Sequence, residues 1–215
     1  MKKNFIIIAP DTDCGKTFAT ATLLKSAIGE KFNAIACKPI QTGSADGKSQ
    51  DLDFILKAAD LTVSPQIYSM LVPCTLKTPA SPLLASQIEN KKIDLNEIVK
   101  KTLEISQNYD SFFVETAGGI YSPITENETN IDMAKKLGFP AIICIPNRIG
   151  AISLSVMTYN VLKNESIDIE GAVFTQTIKP QNEFDEAICR DNIETFKRIT
   201  GVKIIADIKF CEEKQ

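Results

Sequence analysis

The sequence predicts an α/β fold in which a single doubly wound, mostly parallel sheet carries helices on both faces. Short continuous apolar runs alternate along the chain with longer amphipathic stretches. Such runs are typical of strands buried on both faces of a parallel sheet. Strands that alternate with helices imply right-handed crossover connections, which place helices on the two faces. We therefore interpret residues 1–215 as a single domain of this class.

Six apolar runs are the expected strands, and three amphipathic stretches are the expected helices. In the first helix, Leu23, Leu24, Ala27 and Ile28 recur at the spacing of one helical face. A polar segment with an acidic cluster, residues 41–66, is predicted to be a functional loop with short helices. The expected strands are residues 5–9, 34–37, 112–114, 141–145, 169–174 and 202–206; the expected helices are residues 17–31, 150–163 and 183–199.

Composition excludes several classes of function. The 215 residues are 44% hydrophobic and 24% charged, which is typical of a soluble globular domain. The formal net charge of −3 argues against general nucleic-acid binding, which needs a basic face. The chain has no histidine, which excludes histidine general bases, Ser-His-Asp triads and histidine-bound zinc.

Cellular location is also constrained by the sequence. The apolar run at residues 5–9 is too short for a signal peptide or a membrane span. No two of the six cysteines form a Cys-x-x-Cys motif, which favours free thiols in a reducing compartment. We therefore expect a cytoplasmic protein without a nucleic-acid or membrane partner.

A phosphate-binding motif follows the first expected strand. Residues 9–17 read Ala-Pro-Asp-Thr-Asp-Cys-Gly-Lys-Thr, and a helix is expected to begin at once. In such a turn, backbone N–H groups face phosphate oxygens, Lys16 adds a positive charge and the Thr17 hydroxyl can bind Mg²⁺. Pro10 stands where the first glycine of the motif is usual. The motif predicts a nucleotide site of the P-loop NTPase type.

Further charged side chains are expected near the same edge of the sheet. Lys38 directly follows the second expected strand, and Glu115 ends the third. Ligands of open α/β sheets bind beyond the carboxyl ends of the strands, where these side chains would lie. Glycines in residues 116–119 allow the backbone to approach a ligand. An acidic pair, Asp51 and Asp53, could supply one more metal ligand.

These elements, in this order, resemble the dethiobiotin synthetases of the P-loop superfamily. Residues 9–17 are similar to the family loop Gly-Thr-Asp-Thr-x-Val-Gly-Lys-Thr, and residues 38–43 to its Lys-Pro-x-x-Ser-Gly segment. Residues 115–119 look like its Glu-Gly-Ala-Gly-Gly segment, and residues 149–153 like its Leu-Gly-x-Ile-Asn element. The resemblance covers about residues 5–175.

The resemblance implies a homodimer that converts 7,8-diaminononanoate, CO₂ and Mg-ATP to dethiobiotin, ADP and phosphate. A carbamate of the diamine would attack the γ-phosphate, and the second amine would close the resulting carbamic-phosphoric anhydride into the ureido ring. This chemistry depends on positioning and charge more than on a strong base. Lys16 would neutralise the transferred phosphoryl group and Lys38 the carbamate, so both would be catalytic.

The resemblance also implies which residues bind each ligand. The Mg²⁺ ligands would be Thr17, Asp51 and Glu115, with Asp53 as the alternative to Asp51. The substrate would contact Thr12, Lys38 and Thr42 and, across the dimer interface, the helix start at Gly150, Ala151 and Ile152. ATP would contact Asp13, Cys14, Gly15, Lys16, Thr17, Phe18, Asp51, Glu115, Thr116, Ala117, Gly118, Thr175 and Gln176.

The sequence departs from the family pattern at positions that bear on the nucleotide. Thr175 stands where the family has an adenine-recognising Asn, and Gln176 follows it. A Thr hydroxyl cannot offer the paired donor and acceptor of an amide, which leaves the preferred base open. Thr116 replaces a Gly and Cys14 a Val. Cys14 is either a space-filling residue or a thiol whose pKa falls beside Lys16 and phosphate.

Three alternative functions compete with this interpretation. A partitioning-type ATPase carries a signature Lys five residues before the loop Lys, where this chain has Asp11. A second alternative is a non-catalytic or differently specific P-loop nucleotide-binding protein, which the departures at Pro10, Thr116 and Thr175 favour. Such a protein has no obvious use for Lys38. A dehydrogenase would need Gly-x-Gly-x-x-Gly after the first strand, which this chain lacks.

Overall fold

The central sheet has six strands, all parallel, within residues 3–210, the part of the chain that the computed structural model describes. Its spatial order is β2-β5-β1-β6-β7-β8, and a separate two-stranded sheet pairs β3 with β4. The strands are β1 (Lys3–Ile8), β2 (Ala34–Cys37), β3 (Ile40–Gln41), β4 (Cys74–Thr75), β5 (Ser111–Glu115), β6 (Ala141–Pro146), β7 (Ile169–Thr175) and β8 (Ile204–Ile208).

Eight helices connect these strands in the same described range. They are α1 (Lys16–Gly29), α2 (Gln50–Ala58), α3 (Pro65–Leu71), α4 (Pro82–Ile88), α5 (Leu95–Ser106), α6 (Asn130–Leu137), α7 (Ala151–Asn164) and α8 (Glu183–Thr200). The chain moves outward from β1 in one direction to β2 and in the other to β6, β7 and β8. Right-handed crossovers in opposite directions put helices on opposite faces, so the predicted doubly wound α/β class is confirmed.

The predicted strands coincide with the central sheet because their apolar runs are buried on both faces. Ile6, Ile7 and Ile8 of β1 are fully buried, as are Phe112 of β5 and Phe174 of β7. The strand at the chain's end begins two residues later than predicted, at Ile204. None of the helices within residues 3–210 has the length and apolarity needed to cross a membrane.

The polar segment before α2 is folded around Ser49, which caps that helix. The Ser49 hydroxyl accepts a hydrogen bond from the Leu52 N–H at 3.0 Å and donates one to Gln41 Oε1 at 2.6 Å. This pair of bonds connects the short strand β3 to the first turn of α2. The connection places Asp51, in that first turn, beside the ends of the central strands.

Candidate active site

A cavity of about 500 Å³ lies where the strands of the central sheet end, as expected for an open α/β sheet. Most of the residues predicted for the site contribute to its walls. Those residues are Thr12, Asp13, Gly15, Lys16, Thr17, Phe18, Lys38, Asp51, Glu115, Gly118, Thr175 and Gln176.

The loop between β1 and α1 has the backbone conformation that a phosphate-binding turn requires. Asp13 and Gly15 both have positive φ, 51° and 80°, so the chain turns sharply before the helix. Lys16 begins α1, and the unpaired N–H groups of the first helical turn lie at this end. The Lys16 ammonium donates to the Asp11 carbonyl at 3.0 Å. Burial, and secondarily the nearby Lys38 charge, lowers the pKa of Lys16.

An ion-pair network lines the cavity. The Lys38 Nζ atom lies 2.7 Å from Glu115 Oε1 and 2.8 Å from Asp51 Oδ2, and it also donates to the Thr116 carbonyl at 3.3 Å. The register of the sheet explains the first contact, because Cys37 of β2 pairs with Val114 of β5 and the next residues are Lys38 and Glu115.

Charge neutralisation within this network shifts the pKa values of Lys38 and Asp51. Burial by itself lowers the pKa of Lys38, but Glu115 and Asp51 outweigh it, so the pKa of Lys38 is raised. Burial tends to raise the pKa of Asp51, but the Lys38 charge and hydrogen bonds from Lys38 and Thr17 lower it overall. Lys38 therefore stays protonated and Asp51 ionised at neutral pH.

The oxygen atoms in this network fit a magnesium ion. The Thr17 hydroxyl donates to Glu115 Oε1 at 3.0 Å, so the hydroxyl, Glu115 and Asp51 all lie within one small group. The second oxygen of Glu115, Oε2, is buried and has no hydrogen-bond partner among residues 3–210. Hydroxyl and carboxylate oxygens are the ligands that Mg²⁺ prefers. Asp53, the alternative to Asp51, is exposed and lines a different surface depression with Tyr68.

Two predicted nucleotide contacts lie beneath the cavity rather than in its wall. The Thr116 hydroxyl donates to the Ile7 carbonyl at 3.0 Å and so supports β1. Cys14 is 2% exposed, and burial raises the pKa of its thiol despite the nearby Lys16 charge. The possibility of a lowered thiol pKa was therefore wrong, because the desolvation of a buried thiolate outweighs that charge. Cys14 is a space-filling residue of the loop.

Other residues predicted to contact ATP or the substrate lie outside the cavity wall. Ala117 and Thr42 do not line it, and neither does the start of α7 at residues 150–152. The start of α7 has Gly150 as its N-cap in a left-handed conformation. Exposed apolar side chains surround it, with Ile149 73%, Leu154 43% and Met157 62% exposed.

The structure adds an aromatic residue of α2 that the sequence did not single out. Phe54 of α2 lines the cavity and packs against Phe18 of α1, with ring centroids 4.8 Å apart. Phe54 lies one helical turn after Asp51, so the spacing of i to i+3 was the available signal. Gln50 and Thr177 also line the cavity.

The far end of the cavity is closed by the chain after β8. The Gln176 N–H donates to the Ile208 carbonyl at 2.8 Å, and the Gln176 side-chain Oε1 accepts from the Phe210 N–H at 3.2 Å. Ile208, Lys209 and Phe210 complete this wall. The side-chain oxygen of Gln176 therefore already accepts a hydrogen bond within the protein.

Comparisons with known proteins find dethiobiotin synthetases among the sequence relatives of this chain. A family model described as an AAA domain matches residues 3–213. The ATP-dependent dethiobiotin synthetase BioD of Anoxybacillus flavithermus is 34% identical over 213 residues, which cover 96% of this chain and 91% of that protein. The BioD protein of Clostridium novyi is 32% identical, over 96% of this chain and 87% of its own length.

Solved structures show the same fold at low sequence identity. The MinC:MinD cell division complex of Aquifex aeolicus matches with a TM-score of 0.60 and 16% identity, over 98% of this chain and 82% of that one. A ParA family ATPase from Chlorobium tepidum matches with a TM-score of 0.59 and 11% identity, over 99% and 87% of the two chains. These likenesses support the P-loop type of α/β fold.

Proposed function

The chain belongs to the family of ATP-dependent dethiobiotin synthetases, and we propose that the cavity at the ends of β1, β2 and β5 is its active site. The enzyme forms carbon–nitrogen bonds at the expense of ATP. The observation that carries the assignment of the site is the network of Lys38, Asp51 and Glu115 directly beside the phosphate loop.

The phosphate loop binds the triphosphate of ATP. The N–H groups at the start of α1 donate to no side-chain cap, and Gly15 and Lys16 at this end of the helix line the cavity. Lys16 moves from the Asp11 carbonyl, 3.0 Å away, to the β- and γ-phosphate oxygens. Its low exposure strengthens this interaction, because water does not compete for the phosphate charge.

Thr17, Asp51 and Glu115 would hold Mg²⁺, which when bound would neutralise charge that develops on the transferred phosphoryl group. Glu115 Oε2, which has no hydrogen-bond partner among residues 3–210, would be the atom most available to the ion. Asp51 is preferred to Asp53, since only Asp51 reaches the network around Lys38.

Lys38 binds the reacting carbamate. One substrate amine adds to the carbon of CO₂ and loses a proton, and a carbamate oxygen then attacks the γ-phosphorus as ADP leaves. The second amine attacks the carbonyl carbon of the anhydride, expels phosphate and closes the ring. Lys38 remains an ammonium ion throughout, because its pKa is raised, and it therefore stabilises the negative carbamate oxygens.

The substrate site is completed by a second copy of the chain. Thr12 lines the cavity, and Thr42 directly follows β3. The carboxylate of the diamine binds the start of α7, residues 150–152, in the partner subunit of a homodimer. The exposed apolar side chains Ile149, Leu154 and Met157 supply a surface for that dimer. The other partners are small molecules in the cytoplasm, without nucleic acid or membrane.

Phosphate release from Mg-ATP, measured with and without 7,8-diaminononanoate in bicarbonate buffer, tests the function. We expect release that depends on the diamine, with dethiobiotin identified by mass. Release without the diamine, or no release with ATP, GTP or CTP, would instead favour a P-loop protein of different substrate or without catalysis.

A further inference from the structure

Thr175 is connected to the phosphate loop by its hydroxyl group. It is the last residue of β7 and is 2% exposed. Its Oγ1 atom lies 2.5 Å from the Cys14 carbonyl oxygen and 3.2 Å from that of Ile145. A hydroxyl has one hydrogen to donate, and the shorter contact places it on Cys14.

The same carbonyl receives a second donor from the neighbouring strand. The Cys144 thiol lies 3.1 Å from the Cys14 oxygen, so β6 and β7 both hold it. The backbone of the next residue is packed equally closely, since a Cβ atom on Gly15 would lie 2.7 Å from Thr175 Oγ1. The peptide unit between Cys14 and Gly15 is thus fixed against the ends of two central strands.

This anchoring determines where a phosphate-binding donor points. In a planar trans peptide unit the C=O and N–H groups face opposite directions. With the Cys14 carbonyl turned toward β7, the Gly15 N–H is turned away from the sheet, on the side where Gly15 lines the cavity. Gly15 is followed by Lys16, the residue that receives the terminal phosphates.

We propose that Thr175 is a positioning residue for the triphosphate, which it serves by holding the Cys14 carbonyl, and that it does not recognise the base. The proposal rests on the proposed function, since it takes the cavity to be the ATP site. It assigns a different role to the position at which the family resemblance implies an adenine-binding Asn. Discrimination between bases then depends on the wall formed by Gln176 and residues 208–210.

The test compares ligands with and without a base. Mg²⁺-tripolyphosphate, which has only the phosphate chain, is titrated calorimetrically into the protein beside Mg-ATP, Mg-GTP and Mg-CTP. Thr175→Val keeps the side-chain volume but removes the hydroxyl. In this variant we expect all four dissociation constants to rise by the same factor, about ten-fold. In Thr175→Ser, which keeps the hydroxyl, we expect them to stay within about two-fold.

Thr158→Val is the matched control. Thr158 is also 2% exposed, and its hydroxyl also donates to a carbonyl, that of Leu154 at 2.9 Å in α7. We expect this variant to bind all four ligands like the unaltered protein. If Thr175→Val fails to fold, Thr175→Ala removes the hydroxyl without added volume, and the same comparison applies.

Two results would overturn the proposal. One is a Thr175→Val protein that binds tripolyphosphate normally but has lost affinity for a particular nucleotide, which would make Thr175 a base-recognising residue. The other is equal loss in the Ser and Val variants, which would show that packing and not the hydroxyl matters. If the unaltered protein bound neither tripolyphosphate nor nucleotide, the assignment of the ATP site itself would fail.

Discussion

The Lys38 ammonium group lies between two carboxylates, 2.7 Å from Glu115 and 2.8 Å from Asp51. Replacing Lys38 therefore distinguishes its effect on ATP binding from its effect on catalysis. In Lys38→Gln we expect ATP affinity to change by no more than a few-fold, because Lys16 and the loop N–H groups remain. Dethiobiotin formation should fall by about 10²–10³-fold, the effect of losing one preorganised charge beside the reacting group.

Binding by calorimetry and product formation by mass spectrometry measure the two quantities for Lys38→Gln. Lys48→Gln, which alters an exposed lysine of the loop before α2, is the control and should leave both unchanged. Undiminished turnover in Lys38→Gln would contradict the role given to Lys38.

Asp51 makes stability depend on pH in a definite direction. Its pKa in the folded protein lies below the ordinary value of 3.8. The stabilisation is therefore fully present above pH 3.8 and is lost as the pH falls through the lowered pKa. The Asp51 side chain is 34% exposed, so solvent screening limits the effect to about 1 kcal/mol.

Urea unfolding of the Asp51→Asn variant at pH 7, 5 and 3 checks this expectation. The variant should be less stable than the unaltered protein at pH 7, with a difference that shrinks at pH 3. Asp53→Asn, which changes an exposed carboxylate in the same helical turn, should show a smaller difference at pH 7. A stability difference between Asp51→Asn and the unaltered protein that grew at pH 3 would contradict the expected pH dependence.

Individual site residues were predictable from the sequence to different degrees. Lys16, Lys38 and Glu115 each follow or end an apolar run, and that local signal placed them at one edge of the sheet. Their mutual distances were not predictable, because the contact of Lys38 with Glu115 depends on the register between β2 and β5. Burial of the Cys14 thiol likewise depends on the strands packed beneath the loop.

At the scale of elements, the central strands were predictable and several connections were not. Continuous apolar runs identify β1, β2, β5, β6 and β7, because burial on both faces leaves few polar positions. The strands β3 and β4 have two residues each, too few for any periodicity to show. The sequence of the helix α5 does carry helix signals that were not used in the prediction. Asp94 is its N-cap, and Leu95, Ile98 and Val99 are buried on one face.

The turn from β1 into α1 depends on Gly15 for two separate reasons. Its φ of 80° is unfavourable for residues with a side chain, and a Cβ atom would lie 2.7 Å from Thr175 Oγ1. Gly47 also has a φ of 80°, but an added Cβ would meet nothing within 4 Å. In Gly15→Ala we expect nucleotide affinity to fall by more than ten-fold, since the loop must move away from β7.

Gly47→Ala isolates the cost of backbone strain, about 1–2 kcal/mol, and should leave nucleotide affinity intact. Calorimetric titration and thermal unfolding of both variants give the comparison. Equal affinity in the two alanine variants would show that contact with Thr175 does not constrain the loop.

The whole molecule is expected to function as a homodimer through the start of α7. Leu154→Glu combined with Met157→Glu places charges on the exposed apolar face of that helix. We expect the mass measured by light scattering to fall from about twice 23.6 kDa to that value. The KM for the diamine should rise at least ten-fold, because the carboxylate site of the partner is lost.

Ile199→Glu is the control for this experiment, since Ile199 is an exposed apolar residue at the end of α8. It should change neither the mass nor the KM. A double α7 variant that remained dimeric and fully active would exclude this face as the interface.

The contact of Lys38 with both carboxylates has a thermodynamic consequence for the order of events in the enzyme. On the proposed assignment, the Lys38 ammonium group and Mg²⁺ share the carboxyl groups of Asp51 and Glu115, so each would weaken the binding of the other. A carbamate that drew Lys38 away from these carboxyl groups would raise their affinity for the metal. Linkage would make the effect reciprocal, so the metal nucleotide would strengthen carbamate binding by the same factor. The two substrates would thereby be coupled through one side chain.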